Sequence, residues 1–269
     1  MDFGICLQSV VPLRSEPSHR AEMVTQLLFG ELLRVISFNK EWALVQLAYD
    51  DYQGWILSDQ TVVLSESEFL VLLNAETGVS HDLVQLISNE TTKTILPIIL
   101  GSSLPGIRDR ECSIIGENYY FDGSINIFSS FESKATPVDY LKAKQNIVND
   151  ALLYINAPYL WGGRSPFGID CSGFTQMVYK LQKIKLLRDA NQQATQGETL
   201  NFINEAEPGD LAFFDDEEGK INHVGMIMDS SRIIHASGKV RIDSIDHQGI
   251  FNKEEQRYSH NLRVIKRIV

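Results

Sequence analysis

The sequence has only three cysteines in 269 residues, Cys6, Cys112 and Cys171, and they lie far apart. An odd number of widely spaced cysteines argues against a disulfide framework. The sequence also lacks an excess of positive charge, because 24 basic and 35 acidic residues give a formal net charge of −11. So acidic a chain is not expected to bind nucleic acid or an anionic membrane surface.

Long apolar runs and a leader-like N-terminus are missing as well. The longest apolar stretches, such as FLVLLNA at residues 69–75, are far too short to span a bilayer. The chain starts with an acidic residue at position 2 and has no basic segment before an apolar run, which is not the pattern of a secretory signal. We therefore expect a cytoplasmic location, with secretion as the alternative.

What the sequence does contain is an ordinary globular composition arranged in three segments. Residues 1 to about 60 form short strand-like stretches separated by turn residues, which predicts a small β-barrel. Residues from about 65 to 132 continue less regularly and predict a second small β module. From Thr136-Pro137 onwards, a helical pattern that runs to Pro158 and a second one after Asp170 precede strand-like stretches. This order predicts an α+β domain in which helices pack on an antiparallel sheet.

One cysteine begins the second helical pattern, directly after a glycine-rich loop. Asp170 has the chemistry of an N-cap, which places Cys171 in the first turn of the helix. The unpaired N–H groups of a helix N-terminus and a nearby imidazolium both lower the pKa of a thiol, so we expect a thiolate nucleophile. Gly162, Gly163 and Gly168 are expected to let backbone approach a ligand. The alternative is that Cys171 is a small buried apolar residue.

Two of the six histidines are candidates for a catalytic base. His223 and His235 lie in apolar strand-like stretches, NHVGMIMD and RIIHASG. The others lie in polar, loop-like surroundings and are expected to have ordinary surface roles: His19, His81, His247 and His260.

Strand geometry predicts how the two candidate histidines are arranged. A three-residue loop at 229–231 would place His235 opposite Gly225 and on the same face as His223. His223 could then exchange a proton with Cys171, while His235 fixes the tautomer of His223. Zinc is a rival use of one cysteine and two histidines, but no fourth ligand is evident, and we expect no metal and no cofactor.

Four ordered motifs carry a resemblance to a known family. YLWGGRSPFGIDCSGFTQMVY, EPGDLAFF, NHVGMIMD and RIIHASG together resemble the NlpC-type family of papain-like cysteine peptidases, which cleave bacterial cell-wall peptides. The resemblance covers roughly residues 137–269. It implies a catalytic set of Cys171, His223 and His235, with Tyr159 supplying an oxyanion contact. A packed aromatic beside Trp161 is the alternative interpretation of Tyr159.

The front of the chain extends this resemblance. It looks like a bacterial SH3-like barrel, and residues near 65–132 suggest a second, more divergent one. The arrangement is similar to the YkfC-like γ-D-glutamyl-L-diamino acid endopeptidases. The expected domains are therefore an SH3-like barrel at 1–62, a second at 63–134 and the peptidase at 135–269.

The resemblance also implies a substrate and the residues that bind it. The substrate would be a murein tripeptide or tetrapeptide, L-Ala-γ-D-Glu-diamino acid, with a free N-terminal amine. The implied binding residues are Glu16, Tyr52, Trp161, Asp170, Ser172, Arg188 and Asp189. A structural salt bridge is an equal alternative for Arg188, and Ala190 stands where the family often has a small hydroxyl residue.

The predicted function is hydrolysis of the γ-D-glutamyl-diamino acid bond during cytoplasmic recycling of murein peptides. One alternative is a secreted hydrolase that acts on polymeric peptidoglycan, with the barrels as wall-anchoring modules. A second alternative is a binding protein with an inactive peptidase domain, and a third is acyl transfer instead of hydrolysis. The sequence leaves open whether the diamino acid is diaminopimelate or lysine.

Overall fold

The computed structural model describes residues 2–128 and 137–268 of the chain. The chain divides into two compact units, Met1–Lys134 and Ala135–Val269, and the division falls where the sequence pattern changes. Strand predominates over helix, so the predicted α+β class fits the described residues only loosely. Within those residues, no helix is long and apolar enough to cross a membrane.

The N-terminal unit begins with a seven-stranded antiparallel sheet. Its strands β1 to β7 are Asp2–Ile5, Val10–Arg14, Met23–Leu28, Leu32–Asn39, Trp42–Leu47, Gln53–Leu57 and Val62–Leu64. Their order in the sheet is β3-β2-β6-β5-β4-β1-β7. The inward side chains, among them Val11, Leu27, Leu33, Val45 and Ile56, form one buried cluster. The short strands predicted for this segment are confirmed.

A helix follows where the sequence pattern predicted only β structure. Helix α1, Glu66–Asn74, begins with a capping box in which Ser65 accepts from the amide of Glu68 and the Glu68 carboxylate accepts from the amide of Ser65. This box satisfies two otherwise unpaired donors, and it outweighs the strand-like composition of the apolar residues that follow. Phe69, Leu72 and Leu73 form the buried face of the helix.

The rest of the N-terminal unit consists of two small antiparallel sheets. Strands β8 to β14 are Thr77–Ser80, Val84–Asn89, Thr94–Ile99, Ser103–Pro105, Glu111–Ile114, Glu117–Phe121 and Ile125–Phe128. The sheet orders are β10-β9-β13-β12 and β11-β8-β14. That this region is a second SH3-like barrel remains a prediction.

The two parts of the N-terminal unit share a hydrophobic core. The ring of Phe3 stacks on that of Phe69 at 4.4 Å between centroids, and the ring of Phe29 meets that of Tyr119 edge-on at 5.9 Å. Strand β7 spans the predicted boundary between residues 62 and 63 and pairs with β1. The two parts are therefore expected to fold together, and the predicted domain boundaries stay predictions.

The C-terminal unit places helices against an antiparallel sheet. Its helices α2 to α4 are Pro137–Leu152, Cys171–Leu181 and Ala190–Gln193. Strands β15 to β23 are Arg164–Ser165, Gly168–Ile169, Glu198–Leu200, Leu211–Asp215, Ile221–Asp229, Arg232–Ser237, Lys239–Ile245, Gly249–Asn252 and Arg257–Arg267. The large sheet has the order β17-β23-β18-β19-β20-β21-β22, and β22 also pairs with β23, so strands β18 to β23 close on themselves.

Helix α3 is the buried centre of this unit. Each of its eleven residues is buried, and the helix lies against α2 and β19. The Tyr179 hydroxyl donates to the carbonyl oxygen of Gly209 at 2.6 Å, which satisfies its polar tip inside the core. Helix α2 ends at Leu152, earlier than predicted, because the chain then makes turns and Asn156 adopts a φ of 64°, outside the helical range.

Gly30 offers a test of the shared core. At its φ of +76° an added Cβ would overlap the carbonyl oxygen of Ser103, in the neighbouring sheet. We expect Gly30→Ala to lower the free energy of unfolding of the N-terminal unit by about 3 kcal/mol, through backbone strain and overlap together. Urea denaturation would measure this.

Gly116 supplies the matched control. It has a similar φ of +72°, but nothing lies within 4 Å of the position of its missing Cβ. Gly116→Ala should therefore cost only about 1 kcal/mol, the penalty of the left-handed conformation alone. Equal losses for the two variants would contradict the close contact at Gly30.

Candidate active site

Asp170 is the N-cap of helix α3, as the sequence predicted. Its Oδ1 accepts from the amide of Gly173 at 2.6 Å, and its Oδ2 accepts from the amide of Gly162 at 2.8 Å. The carboxylate thus holds both the helix N-terminus and the preceding loop. Cys171 is the first residue of the helix and is buried.

Arg188 forms a buried ion pair with the same carboxylate. Its Nη1 donates to Oδ1 of Asp170 at 3.0 Å and its Nη2 donates to Oδ2 at 2.6 Å, a bidentate arrangement. Nη1 also donates to the Ser172 hydroxyl at 3.0 Å, and the Arg188 side chain is only 1% exposed. Of the two interpretations of Arg188, the structure shows the internal salt bridge.

The glycine-rich loop packs against its own chain at Gly163 and Gly173, and that it also leaves room for a ligand stays a prediction. A Cβ on Gly163 would overlap the carbonyl oxygen of Gly168, and one on Gly173 would overlap the carbonyl oxygen of Gly163. The amide of Gly163 donates to Leu160 at 2.9 Å. These glycines permit close approach between backbone segments, and this approach seats the loop on the helix that carries Cys171.

The two candidate histidines lie on the neighbouring strands β19 and β20, as predicted. His235 lies directly opposite Gly225, which puts it diagonal to His223 on one face of the sheet. The turn differs from the prediction, because Asp229 pairs with Arg232 and leaves a two-residue connection. A register shift between Ile227 and Asp229 adds one residue to β19, and this extra residue restores the predicted pairing of Gly225 with His235.

A chain of hydrogen bonds links these histidines to an aspartate on the next strand. Nε2 of His223 lies 2.8 Å from Nδ1 of His235, and Nε2 of His235 lies 3.0 Å from Oδ2 of Asp243. Arg241 donates from Nη2 to the other carboxylate oxygen of Asp243 at 2.9 Å. All three members of the chain are buried. Sequence reasoning missed Asp243, although the register that aligns His235 with Arg241 also places Asp243 on this face.

His260 also belongs to this cluster, so its predicted surface role is wrong. It lies on β23, and its ring stacks on that of His223 with centroids 4.1 Å apart and an angle of 25° between the planes. Its sequence neighbours Ser259 and Asn261 are polar and suggested an exposed position. On a strand, however, they point to the face opposite that of His260. Burial, followed by His235, lowers the pKa of His260 to about 4.

The three histidines do not have the geometry of a zinc site in this structure. Their nearest nitrogens lie within 4.8 Å of one another. Two ligands of a tetrahedral zinc ion at about 2.0–2.1 Å would lie roughly 3.3 Å apart. However, His223 and His235 are hydrogen-bonded at 2.8 Å, and the stacked ring planes of His223 and His260 do not direct their lone pairs at a common point. The prediction of no metal stays a prediction.

The surroundings of Cys171 favour the neutral thiol over the predicted thiolate. Burial, followed by the carboxylate of Asp170, raises its pKa to about 12. Hydrogen bonds from the backbone amides of Val224 and Ser172 oppose this rise but are the smaller effect. Burial, followed by His235 and His260, holds the pKa of His223 well below its ordinary value. No imidazolium is therefore present at His223 to stabilise a thiolate.

The remaining predicted residues occupy different surroundings. Tyr159 is half-buried near Cys171, and burial, followed by the electrostatic effect of Cys171, raises its pKa, so its hydroxyl keeps its proton. Trp161 is 60% exposed, and the Asp189 amide donates to Gln192 at the start of α4. Glu16 and Tyr52 belong to the N-terminal unit. Glu16 is exposed, whereas Tyr52 packs against the core of the first sheet. Their role in substrate binding stays a prediction.

A buried cysteine at a helix N-terminus, packed against a strand that bears a histidine, defines the class of papain-like cysteine peptidases. Comparison with known proteins specifies the class further. A model of the NlpC/P60 family matches residues 156–257, and a model of the bacterial dipeptidyl-peptidase SH3 domain matches residues 13–60. The chain belongs to the NlpC/P60 family of cysteine peptidases.

Individual relatives extend over most of the chain. The gamma-D-glutamyl-L-lysine dipeptidyl-peptidase of Bacillus subtilis is 31% identical over 258 residues, which cover 87% of this chain and 75% of the relative. Dipeptidyl-peptidase 6 of Lysinibacillus sphaericus is 26% identical over 91% of this chain and 92% of its own. The crystal structure of an NlpC/P60 family protein from Bacillus cereus superimposes with a TM-score of 0.82, covering 99% of each chain at 19% identity, which supports the fold.

A neutral Cys171 thiol predicts a particular pH dependence for its rate of alkylation. Because only the thiolate reacts with iodoacetamide, the labelling rate of Cys171 should rise continuously from pH 6 to pH 10 in the free enzyme. Quantification of the Cys171 peptide by mass spectrometry would separate it from the peptides of Cys6 and Cys112. A rate that is constant from pH 5 to pH 8 would contradict the neutral pair and indicate a preformed thiolate–imidazolium pair.

Proposed function

We propose that this protein hydrolyses the γ-D-glutamyl bond to a diamino acid in peptides derived from peptidoglycan, with Cys171 as nucleophile. The observation that carries this proposal is the 31% identity, over most of the chain, to a relative named gamma-D-glutamyl-L-lysine dipeptidyl-peptidase. A buried thiol that meets the backbone amide of Val224, next in sequence to His223, and the hydrogen bond between His223 and His235 supply the chemistry that such a reaction needs.

The first half of the reaction transfers an acyl group to the enzyme. His223 accepts the thiol proton as Cys171 Sγ attacks the carbonyl carbon of the γ-D-glutamyl group, and the carbonyl oxygen becomes an oxyanion. Tyr159 keeps its proton and can donate a hydrogen bond to this oxyanion, which supports its proposed role. The intermediate collapses when the C–N bond breaks, and the imidazolium of His223 protonates the departing amine.

The second half of the reaction releases the product. Water donates a proton to His223 and attacks the thioester, so that the C–S bond breaks and Cys171 regains a proton. Atoms balance over the cycle, because one water molecule is consumed and one carboxylate and one amine are formed. Burial favours the neutral thiol and the neutral imidazole, so proton transfer from Cys171 to His223 separates charge in a buried site.

The proposed substrate is a short peptide with a free N-terminal L-Ala. The name dipeptidyl-peptidase, borne by both relatives described above, denotes an enzyme that removes a dipeptide from a free end. An L-Ala-γ-D-Glu dipeptide would be released here, with the diamino acid as leaving group. Glu16, Tyr52 and Trp161 are the proposed contacts of the substrate. For Asp170, Ser172 and Arg188 the mutual hydrogen bonds support an organising role around Cys171.

A free-amine requirement further supports a role in the cytoplasmic recycling of released murein peptides. Peptides still attached to muramic acid carry a blocked amine, and a carboxylate that is built to pair with an ammonium rejects them. The competing proposal, a secreted hydrolase of polymeric wall, requires cleavage of intact sacculi.

The proposed reaction is tested by mass-spectrometric turnover of L-Ala-γ-D-Glu-L-Lys and of its diaminopimelate counterpart, each beside its N-acetylated form. We expect cleavage of the free-amine peptides only, and a loss of about 10⁴-fold or more in Cys171→Ala. Equal cleavage of the acetylated forms would remove the free-amine requirement. Digestion of intact sacculi as fast as free tripeptide would favour the wall hydrolase, and no cleavage of any substrate would contradict the proposed function.

The same substrates test the proposed amine contact of Glu16. Glu16→Gln removes a negative charge, so we expect KM for the free-amine peptide to rise about tenfold, while the rate on the acetylated peptide does not fall. Glu41→Gln, another exposed carboxylate of the N-terminal unit, is the control and should behave like the wild type. An unchanged KM in Glu16→Gln would remove this residue from the proposed site.

A further inference from the structure

We propose that Asp243, oriented by Arg241, is a positioning residue that fixes the tautomers of His235 and His223 so that His223 presents a basic nitrogen to the thiol. This inference deepens the proposed function and rests on it. It adds to the cysteine and the two histidines a carboxylate that the sequence motifs do not include.

The first step is the placement of the carboxylate. Strand β21 pairs with β20 so that Arg241 lies directly opposite His235, and Asp243 is two residues further on the same face. Oδ2 of Asp243 is 3.0 Å from Nε2 of His235, and the exposed fractions of the two side chains are 7% and 1%. A buried carboxylate at this distance is a fixed hydrogen-bond acceptor for the imidazole.

The second step is the charge of Asp243. Burial alone would raise its pKa, but the hydrogen bonds from His235 and Arg241 outweigh burial and lower it. Nε of Arg241 lies 2.7 Å from Oδ2, and Nη2 donates to Oδ1 at 2.9 Å. The carboxylate is therefore ionised at neutral pH and can only accept hydrogen bonds.

The third step follows the protons along the chain. Because Asp243 only accepts, Nε2 of His235 carries the proton of this hydrogen bond, and an imidazole with its single proton on Nε2 has an acceptor at Nδ1. Nε2 of His223, 2.8 Å away, must then donate to it. The lone pair of His223 is left on Nδ1, as a base requires. When His223 gains the thiol proton, the ionised Asp243 stabilises the resulting positive charge through His235.

Because Arg241 also contacts Asp243, replacing the carboxylate at 243 by an amide changes the hydrogen bonds of His235. An asparagine at 243 has one oxygen and one NH₂ group, and donors approach it from both Arg241 and His235. Arg241 lies against both carboxylate oxygens, with Nε 2.7 Å from Oδ2 and Nη2 donating to Oδ1, so either orientation of the amide sets its NH₂ group against a guanidinium nitrogen or turns it towards His235. When the NH₂ group faces His235, His235 carries its proton on Nδ1 and donates to His223, and this places the His223 proton on Nδ1. An asparagine at 243 therefore no longer enforces the productive tautomer, and it also lacks the charge that stabilises the imidazolium of His223.

The decisive comparison is between Asp243→Asn and Asp243→Ala. We expect kcat on the free-amine tripeptide to fall at least about tenfold in both Asp243→Asn and Asp243→Ala, with little change in KM. A space-filling role predicts a loss in Asp243→Ala only, because asparagine occupies the same volume as aspartate. Asp229→Asn is the control, since Asp229 also pairs with an arginine, Arg232, and should keep the wild-type kcat. A kcat of Asp243→Asn equal to that of the wild type would overturn the proposal.

Nuclear magnetic resonance of ¹⁵N-labelled histidine provides a readout that needs no activity. In the wild type, His235 and His223 should both be protonated on Nε2, and in Asp243→Asn the form protonated on Nδ1 should become populated in both rings. The wild-type spectrum alone decides the inference if Asp243→Asn does not fold, because a proton on Nδ1 of His223 would contradict it. If the wild type cleaves no peptide but has the expected tautomers, the proposed function fails and the positioning of His223 stands.

Discussion

The geometry around the nucleophile depends on one buried carboxylate, that of Asp170. A carboxylate in a protein interior is tolerated only when charged and neutral donors surround it. Here the donors are the amide of Gly162, the amide of Gly173 and both terminal nitrogens of Arg188. Because these donors come from three different segments, satisfying this one charge fixes the loop before the helix, the first turn of the helix and the segment before α4.

The same carboxylate also limits the reactivity of Cys171. Burial, followed by this carboxylate, raises the thiol pKa to about 12 against the opposing effects of the Val224 amide, Arg188 and the Ser172 amide. These surroundings favour the neutral thiol in the free protein. The proposed mechanism therefore forms the nucleophile by proton transfer to His223 during the reaction.

The sequence predicted those parts of the site that depend on local chemistry and periodicity. The Asp170 cap, the buried helix that follows it and the antiparallel strands that carry His223 and His235 all arise from residue type and spacing. Features that depend on long-range packing were not predicted from the sequence. The ring of His260 joins the cluster only because β23 lies on the same sheet, and the pKa of Cys171 depends on how deeply α3 is buried.

Two further differences show how local signals compete. Helix α1 occupies a stretch whose composition resembles a strand, and its Ser65–Glu68 capping box was the signal that could have identified it. The glycines before Cys171 predicted space for a ligand, and the structure shows in addition that Gly163 serves a contact between backbone segments. Glycine in a sequence indicates close approach but does not indicate what approaches.

The alignment of His223, His235 and Asp243 is a property of strand register. The two-residue turn between Asp229 and Arg232 would, in a regular hairpin, pair His235 with Met226 and turn its side chain away from His223. The extra residue at Met228 reverses that parity and brings both histidines to one face. From there the regular pairing of β20 with β21 carries Asp243 to the same face without further adjustment. The single irregular residue Met228 thus decides whether His223, His235 and Asp243 form a chain of hydrogen bonds or lie on opposite sides of the sheet.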